Sequence, residues 1–351
     1  MTVSERGESG GSTGAVADAV VAQTKMAATY VSGKRVPDFF IVGHAKCGTT
    51  ALYYMLKEHP QIFMCDVKEP RYFNTDLRSR FEVGKATPKP QHTLDGYLSL
   101  FAGADADELV GEASPQYIRS LDAPRGIAEV QPDARIIAIL REPASFLRSF
   151  HLQMVSSNVE DERDFQKAIG LEQARREGKR IPSRSHHPDA LLYSEHVRYA
   201  DQLRRYHEVF PPENVLTLIY DDYRRDNEGT LRKVLRFLDV DDTVSLDTLD
   251  TKPVKAIRSP QLHHLANAAR TARTNPEAAS PLGKTVNALT SKLVGSDTFK
   301  TQWRRLAYRA PREPDEQFML ELRRRHKPEV VALSEYLDRD LVTLWGYDSL
   351  D

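Results

Sequence analysis

The sequence predicts an α/β protein with three layers, in which helices cover both faces of a central, mainly parallel β-sheet. Short apolar runs have the length and composition of buried strands, namely FFIV at 39–42, ARIIAIL at 134–140 and NVLTLIY at 214–220. A segment with helical spacing follows each run. Strands that alternate with helices along a chain are typical of a parallel sheet that is covered on both faces.

The first strand leads into the most informative loop of the chain. FFIV is followed by GHAKCGTT at 43–50 and then by TTALYYMLKEHP, in which Leu52, Met55 and Leu56 fall on one helical face and Pro60 ends the helix. GHAKCGTT is therefore predicted to connect a buried strand to an amphipathic helix.

The second and third strands are also followed by polar residues and helices. REPASFLRSFHLQM can start a helix at Pro143, and TLRKVLRFLDV forms a helix after the third strand. Ligands of a parallel sheet bind beyond the carboxyl ends of its strands. The Gly43 loop, Arg141 and Asp221 all fall at such ends, so this edge of the sheet is where a ligand is expected.

Changes in composition divide the 351 residues into a leader and one domain. Residues 1–35 are predicted to be a flexible leader, rich in Gly and Ser at its start, with a short helix over 17–30. Residues 36–351 are predicted to form a single domain. The alternation of strands and helices stops after Asp250, and a basic, helix- or loop-rich segment follows at 252–312. That segment either lines a pocket for an anionic ligand or is a solvated helical face.

The composition also argues against several kinds of partner. The formal net charge of −1 gives no reason to expect nucleic-acid binding or a general attraction to membranes. Two cysteines, Cys47 and Cys65, make neither a disulfide framework nor a zinc site. The chain starts without the basic and apolar regions of a secretory signal, and no run reaches the ~18 apolar residues that span a bilayer. We predict no metal, no stable membrane insertion and a cytoplasmic location, and we leave the oligomeric state open.

The loop GHAKCGTT has the chemistry of an anion site. A glycine loop between a strand and a helix aims backbone N–H groups and a helix N-terminus at one point, and Lys46, Thr49 and Thr50 add a charge and hydroxyl donors. In ATP-hydrolysing loops the lysine directly follows the second glycine, whereas here Thr49 follows Gly48. The alternative is a tight glycine turn without a ligand. Cys47 is better explained as a small loop filler than as a nucleophile.

Two halves of one pattern resemble the sulfotransferases that use 3′-phosphoadenosine 5′-phosphosulfate (PAPS). GHAKCGTT is similar to the 5′-phosphosulfate loop of that family, and Arg141 with Ser149 eight residues on is similar to its 3′-phosphate grip. A guanidinium group suits two phosphate oxygens. The simpler explanation for Arg141 alone is a surface ion pair with Glu142.

Three further segments resemble the same family. KEPRYFN at 68–74 is similar to the KE-x-H-FF stretch of the heparan-sulfate and related bacterial branch, GEASPQYI at 111–118 is similar to a segment near the donor and acceptor pockets, and a third element begins at Tyr193. The chain departs from this pattern at Arg71, Asn74 and Ala113, where the family has a histidine, an acidic residue and, in animal heparan enzymes, a lysine.

The resemblance implies a P-loop, nucleoside-kinase-like sulfotransferase fold, PAPS as the donor and a small-molecule or glycan acceptor. It implies that Glu69 is the base and that Lys46 neutralises the leaving phosphate. The donor contacts that it implies are Gly43, Lys46, Cys47, Gly48, Thr49, Thr50, Arg141, Ser149, Tyr193 and Arg258. The acceptor contacts that it implies are Lys68, Arg71, Ser114, Tyr117 and His151.

Several alternatives remain open at the level of the sequence. A histidine, His151 or His44, is the rival to Glu69 as the base, because other branches of the family use one. The rival activities are a small-molecule kinase that uses ATP and a nucleotide-binding scaffold without catalysis. The acceptor is predicted only as a sugar, a glycolipid, a nucleoside or another secondary metabolite.

Overall fold

The computed structural model describes most of the residues of the chain. They are residues 29–77, 90–183, 185, 187–246, 256–257, 262, 265, 281–290, 306, 308–309 and 311–350.

The centre of the fold is a five-stranded sheet in which every neighbouring pair is parallel. Its strands are β3 (Phe39–Ile41), β4 (Ile62–Met64), β5 (Leu109–Ala113), β6 (Arg135–Leu140) and β7 (Val215–Ile219). They lie in the order β4–β5–β3–β6–β7. The predicted α/β class with a central parallel sheet is therefore confirmed.

Two strands of this sheet were not predicted from the sequence. β4 has only three residues and follows the first helix closely, so it offers little pattern. β5 reads LVGEA, in which a glycine and an acidic residue interrupt the apolar run, although all five residues are buried. Tertiary burial therefore overrides the weak strand propensity of this segment.

Helices occupy the connections between the strands and the end of the chain. The helices are α1 (Thr49–Lys57), α2 (Leu94–Leu98), α3 (Ala123–Val130), α4 (Pro143–Ser156), α5 (Phe165–Gly170), α6 (Glu172–Arg176), α7 (Tyr199–His207), α8 (Tyr220–Arg225), α9 (Asn227–Phe237), α10 (Pro281–Thr290), α11 (Glu316–Tyr336) and α12 (Leu341–Leu344). Short 3-10 helices lie at Thr75–Leu77, Pro90–His92, Ser99–Phe101, Pro115–Arg119, Pro188–Leu191, Tyr193–Val197 and Pro212–Asn214.

A two-stranded ribbon precedes the sheet, where β1 (Tyr30–Val31) pairs antiparallel with β2 (Lys34–Arg35). The Arg35 side chain is buried, and its guanidinium group donates two hydrogen bonds to the carboxylate of Asp38. Residues 30–35 therefore belong to the folded part, and the boundary predicted for the leader at residue 35 is corrected. Tyr30 lies in a strand, not in a helix, and residues 1–28 lie outside the described residues.

Little of the basic segment at 252–312 belongs to the described residues. Within it, β8 (Ala256–Ile257) pairs antiparallel with β9 (Tyr308–Arg309), and α10 lies between them in the chain. Arg258, a predicted donor contact, lies outside the described residues.

The strand order places a ligand-binding crevice next to the first loop. β3 pairs with β5 on one side and with β6 on the other. The chain leaves β3 toward the β4 edge and leaves β6 toward the β7 edge, so these neighbours form a topological switch point. In open parallel sheets, ligands bind at the carboxyl ends of such strands, which are the ends that lead to Gly43 and Arg141.

Candidate active site

The loop after β3 presents the start of α1 without a side-chain cap. Gly43 approaches β6 so closely that a Cβ atom would lie 2.0 Å from the backbone nitrogen of Ile139. Gly48 has a φ of 91°, and no side chain caps the helix at this residue. The first N–H groups of a helix have no intrahelical partner, so the start of α1 offers donors to an anion.

Two cations lie at this loop. The Arg141 Nη1 atom donates to the backbone carbonyl oxygen of Lys46 at 3.2 Å, and the guanidinium carbon lies 4.8 Å from the centre of the Tyr220 ring. Burial lowers the pKa of Lys46, and the charge of Arg141 lowers it further. Within the described part of the chain, no carboxylate forms an ion pair with either side chain. The two charges therefore fit a ligand that carries more than one negative charge.

Ser149 lies on the helix that follows Arg141. It lies in the middle of α4, and its side chain is almost buried. The predicted alternative for Arg141, an ion pair with Glu142, is not found. The carboxylate of Glu142 instead accepts hydrogen bonds from the backbone N–H groups of Ala144 and Ser145 and so caps α4. The Arg141 side chain is thereby left for the loop.

Glu69 lies at the same edge of the sheet as this loop. Its backbone N–H donates to the carbonyl oxygen of Ala113 at 3.1 Å, and Ala113 is the β5 partner of Ile41 on β3. Ile41 precedes Gly43 by two residues. Glu69 follows β4, and its hydrogen bond to the end of β5, the strand between β4 and β3, places it at the same edge of the sheet as the anion loop.

The Glu69 carboxylate is paired through both of its oxygens. Oε2 accepts from the Arg71 guanidinium group and Oε1 accepts from Lys68 Nζ at 3.3 Å. Burial alone would raise the pKa of Glu69, but the charges of Arg71 and Lys68 hold this pKa below its ordinary value. The side chain is 28% exposed, so an ionised carboxylate is accessible at the surface of the site.

We predict that Arg71→Gln moves the acid limb of the kcat/KM profile to higher pH. An opposite charge nearby lowers the pKa of a carboxyl group, so its removal raises the pKa of Glu69, by about one unit or more. The carboxylate then takes up a proton at a higher pH as the solution is acidified. Steady-state rates between pH 4 and pH 8 measure the shift; the exposed Arg176→Gln, on α6, is the control. An unchanged acid limb in Arg71→Gln would show that the limb does not belong to Glu69.

Two predicted acceptor contacts are instead buried beneath Glu69. The Ser114 hydroxyl oxygen accepts from the Arg71 backbone N–H at 3.1 Å, and its side chain is 1% exposed. Tyr117 is fully buried, with its hydroxyl group bonded to Glu112 and to the Phe73 backbone N–H. Neither side chain has a surface to offer an acceptor, so the prediction of direct contact is corrected for both.

Two further predicted contacts lie in the core. His151 Nε2 is 2.8 Å from the backbone oxygen of Glu162, and burial lowers the pKa of this histidine. The Tyr193 hydroxyl group donates to the buried Glu160, which pairs with Arg175. Because both side chains are buried, His151 is removed from the acceptor contacts and Tyr193 from the donor contacts.

The other reactive groups near the loop are also buried. Burial lowers the pKa of His44 to about 3, and His44 Nε2 lies 2.8 Å from Gln202 Oε1. Burial raises the pKa of the Cys47 thiol to about 12, which agrees with a loop filler. Thr49 is buried at the start of α1 and Thr50 is exposed.

Among the described residues, no group of three or more His, Cys, Asp or Glu side chains is arranged to hold a metal ion.

Two residues of this region were missed at the level of the sequence. Tyr220 supplies the aromatic ring beneath Arg141. Glu112 is a fully buried carboxylate next to the segment that holds Glu69. The only signal for Glu112 was its place in GEASPQYI, because the strand that buries it was not predicted.

The comparison with known proteins agrees with this geometry. The model of a protein family described as "Sulfotransferase family" matches residues 37–243, which is more than half of the chain. The chain belongs to the sulfotransferase family. The family resemblance noted in the sequence is thus confirmed, and the match covers the anion loop, Glu69, Arg141 and Ser149.

Individual relatives of this sulfotransferase family member are distant. Carbohydrate sulfotransferase 15 of Mus musculus is 26% identical over 265 residues, which cover 60% of this chain and 46% of that protein. The bifunctional heparan sulfate N-deacetylase/N-sulfotransferase 3 of Homo sapiens is 28% identical over 219 residues, covering 59% of this chain and 22% of that protein. The chain therefore matches less than half the length of these curated relatives.

A solved structure shows the same fold. The sulfotransferase from Alicyclobacillus acidocaldarius superposes with a TM-score of 0.60 at 23% identity, covering 88% of this chain and 98% of that one. At this identity the likeness concerns the fold alone. It confirms the predicted sulfotransferase fold.

The predicted cytoplasmic location is contradicted by the relatives. One of them, from Dictyostelium discoideum, is named membrane-associated sulfotransferase kil1 and is 32% identical over 127 residues, which cover 35% of this chain and 25% of that protein. The absence of a recognisable secretory signal was therefore a poor basis for predicting where the protein is located. Among the described helices, none combines the length and the apolar character needed to cross a membrane.

Proposed function

We propose that this protein is a sulfotransferase that moves a sulfuryl group from PAPS to a hydroxyl group of an acceptor. The observation that carries the proposal is the pair of cations, Lys46 and Arg141, at the uncapped start of α1, with no described carboxylate to neutralise them. This arrangement lies at the topological switch point, and Glu69 is hydrogen-bonded to the end of β5, the strand next to β3.

The donor would be held by groups on both sides of the switch point. Backbone N–H groups of Cys47, Gly48, Thr49 and Thr50, together with the Lys46 ammonium group, would hold the 5′-phosphosulfate. Arg141 and Ser149 would hold the 3′-phosphate. PAPS, when bound, supplies the sulfuryl group and a phosphate leaving group. The role of Lys46 is to neutralise the negative charge that grows on that phosphate during transfer.

Glu69 is the proposed base. It is an ionised carboxylate with accessible surface, and it would accept the proton of the acceptor hydroxyl group while the acceptor is held in line with the donor. Each oxygen of Glu69 accepts one hydrogen bond in the structure, from Lys68 or from Arg71, and each keeps a second lone pair that can take up the proton.

The acceptor is proposed to be a sugar, a glycolipid, a nucleoside or another secondary metabolite. Two of the relatives are named for carbohydrate and heparan sulfate substrates, which supports a glycan first. Lys68 and Arg71 flank Glu69 with partly exposed cationic groups and would be the first contacts of the acceptor. An ATP-dependent kinase has less support, because Thr49 stands where a kinase-type loop has its lysine.

We predict that Arg141→Ala and Ser149→Ala weaken the binding of 3′-phosphoadenosine 5′-phosphate more than the binding of adenosine 5′-phosphate. Both side chains are assigned to the 3′-phosphate, and one charge-assisted hydrogen bond is worth roughly 1.5–3 kcal/mol. Calorimetric titration of each variant with both nucleotides tests this.

The matched control is Arg135→Ala, which removes an arginine at the opposite end of β6, where it pairs with Asp239. Its affinities for the two nucleotides should match those of the wild type. Equal losses for the two nucleotides in Arg141→Ala would contradict the assignment to the 3′-phosphate. A wild-type protein that binds neither nucleotide would contradict the proposed function.

A further inference from the structure

Glu112 is a buried acid beneath the proposed base. It lies on β5, its side chain is 0% exposed, and its Oε2 atom accepts from the hydroxyl groups of Tyr97 at 2.6 Å and of Tyr117 at 3.3 Å. Its Oε1 atom has no hydrogen-bond partner among the described residues. Burying a carboxyl group with an unpartnered oxygen is unfavourable. The side chains that hydrogen-bond to Glu112 therefore indicate what this buried carboxyl group does.

The hydroxyl groups of Tyr117 and Ser114, both near Glu112, accept hydrogen bonds from the backbone just after Glu69. Tyr117 has a single hydroxyl hydrogen, which it donates to Glu112, and its lone pair therefore accepts from the Phe73 backbone N–H at 3.3 Å. Ser114 accepts from the Arg71 backbone N–H at 3.1 Å. Burial raises the pKa of Glu112 to about 7, whereas the hydroxyl groups of Tyr97 and Tyr117, which donate to Oε2, favour its ionised form.

The segment that these hydroxyl groups hold has an unusual backbone. Glu69 has a φ of 63° and Arg71 has a φ of 59°. Residues other than glycine rarely adopt this left-handed region, and they do so only where their surroundings hold them. The hydrogen bonds from the backbone of Arg71 and Phe73 to Ser114 and Tyr117 are such a restraint. The Glu69–Arg71 ion pair lies within the same turn.

We propose that Glu112 is a positioning residue for the transfer reaction: through Tyr117, and beside Ser114, it holds the turn that presents Glu69 to the acceptor. This inference rests on the proposed role of Glu69 as the base. It also gives Ser114 and Tyr117 a function in place of the acceptor contact that burial rules out.

Tyr97 provides a matched control within the same cluster. Like Tyr117, it is fully buried and donates its hydroxyl group to Glu112 Oε2. Within the described part of the chain, its hydroxyl group makes no hydrogen bond to the backbone of residues 69–73. Its ring, which stacks on Tyr72 at 4.7 Å, is kept in phenylalanine. A purely structural role of the cluster would make Tyr97→Phe and Tyr117→Phe equivalent.

The test compares kcat, donor affinity and thermal unfolding of Tyr117→Phe and Tyr97→Phe. We expect Tyr117→Phe to lower kcat about tenfold, the rate equivalent of one lost hydrogen bond, with the Kd for 3′-phosphoadenosine 5′-phosphate unchanged. Tyr97→Phe should lose comparable stability and keep kcat within about twofold of the wild type. Equal losses of kcat in the two variants would overturn the proposal. So would a loss of kcat in Tyr117→Phe that is accompanied by an equal loss of donor affinity.

Repeating Tyr117→Phe in a Glu69→Gln background separates this inference from the proposed function. If Tyr117 acts through Glu69, the double variant should be no slower than Glu69→Gln, because residues that act as one unit are not additive. A further tenfold loss would overturn the positioning role while leaving the base in place. Nearly full activity of Glu69→Gln alone would instead remove the base, and with it the proposed mechanism.

A second pair of variants tests Glu112 itself. The amide oxygen of Glu112→Gln can still accept from Tyr117, whereas Glu112→Ala cannot, so kcat of the glutamine variant should exceed that of the alanine variant by about tenfold. Equal kcat values would overturn the proposal. If Glu112→Ala does not fold, the two tyrosine variants decide.

Discussion

Lys46→Ala is expected to lower turnover by about 10²–10³-fold, because it removes a group aimed at charge that develops in the transition state, and such a loss costs roughly 3–4 kcal/mol of barrier. The free energy of unfolding should change little. The ammonium group is partly desolvated, lies near the like charge of Arg141, and has no carboxylate partner within the described residues. Single-turnover rates with saturating PAPS, beside chemical denaturation, measure the two effects.

Lys57→Ala is the matched control for this variant. Lys57 lies at the other end of α1, where it pairs with the exposed Asp66. Its removal should leave turnover unchanged. A Lys46→Ala enzyme with a turnover near that of the wild type would remove Lys46 from the mechanism.

Glu69→Gln is expected to lower turnover by about 10²–10⁴-fold, because glutamine keeps the shape of the side chain but cannot accept the acceptor's proton. Donor affinity should stay within a few-fold, since Glu69 is assigned to the acceptor side. The acid limb of the rate profile should also flatten, because its pKa is assigned to this carboxylate. Turnover and donor titration of the variant, with one identified acceptor, test these expectations.

His151→Asn distinguishes the rival base. His151 is 1% exposed and is engaged with the backbone of Glu162, so the structure favours little effect on turnover. The rival mechanism predicts that His151→Asn abolishes turnover and that Glu69→Gln keeps most of it. A Glu69→Gln enzyme that retains more than about a tenth of the wild-type rate would end the carboxylate-base mechanism, given the size of the expected effect.

The sequence predicted those parts of the fold that carry a strong local pattern. β3, β6 and β7 are apolar runs buried in the sheet, and each was found within about two residues of its bounds. β4 and β5 were missed because one is very short and the other buries a glycine and a glutamate that do not favour strands. Their burial is decided by long-range packing.

The anion loop could be read from sequence because its chemistry is local, within eight consecutive residues. The surroundings of Glu69 could not be predicted from sequence, because they depend on the directions in which the side chains of other segments point. Ser114 and Tyr117 share a segment with the site, yet both point into the core. The turn that holds the Glu69–Arg71 ion pair contains two left-handed residues that are not glycine, and a chain without glycine at these positions gives no sign of such a turn.

The proposed reaction requires PAPS as the donor and a Lys46 loop that acts on it. The most direct measurement supplies purified protein with ³⁴S-labelled PAPS and with ¹⁸O-labelled ATP, together with a mixture of desulfated glycans and small metabolites, and follows the products by mass spectrometry. We expect an acceptor that gains the ³⁴S-labelled sulfuryl group with the wild-type protein, and that gains it much more slowly with Lys46→Ala. A product that gains the labelled phosphoryl group from ATP, with none that gains sulfur, would contradict it.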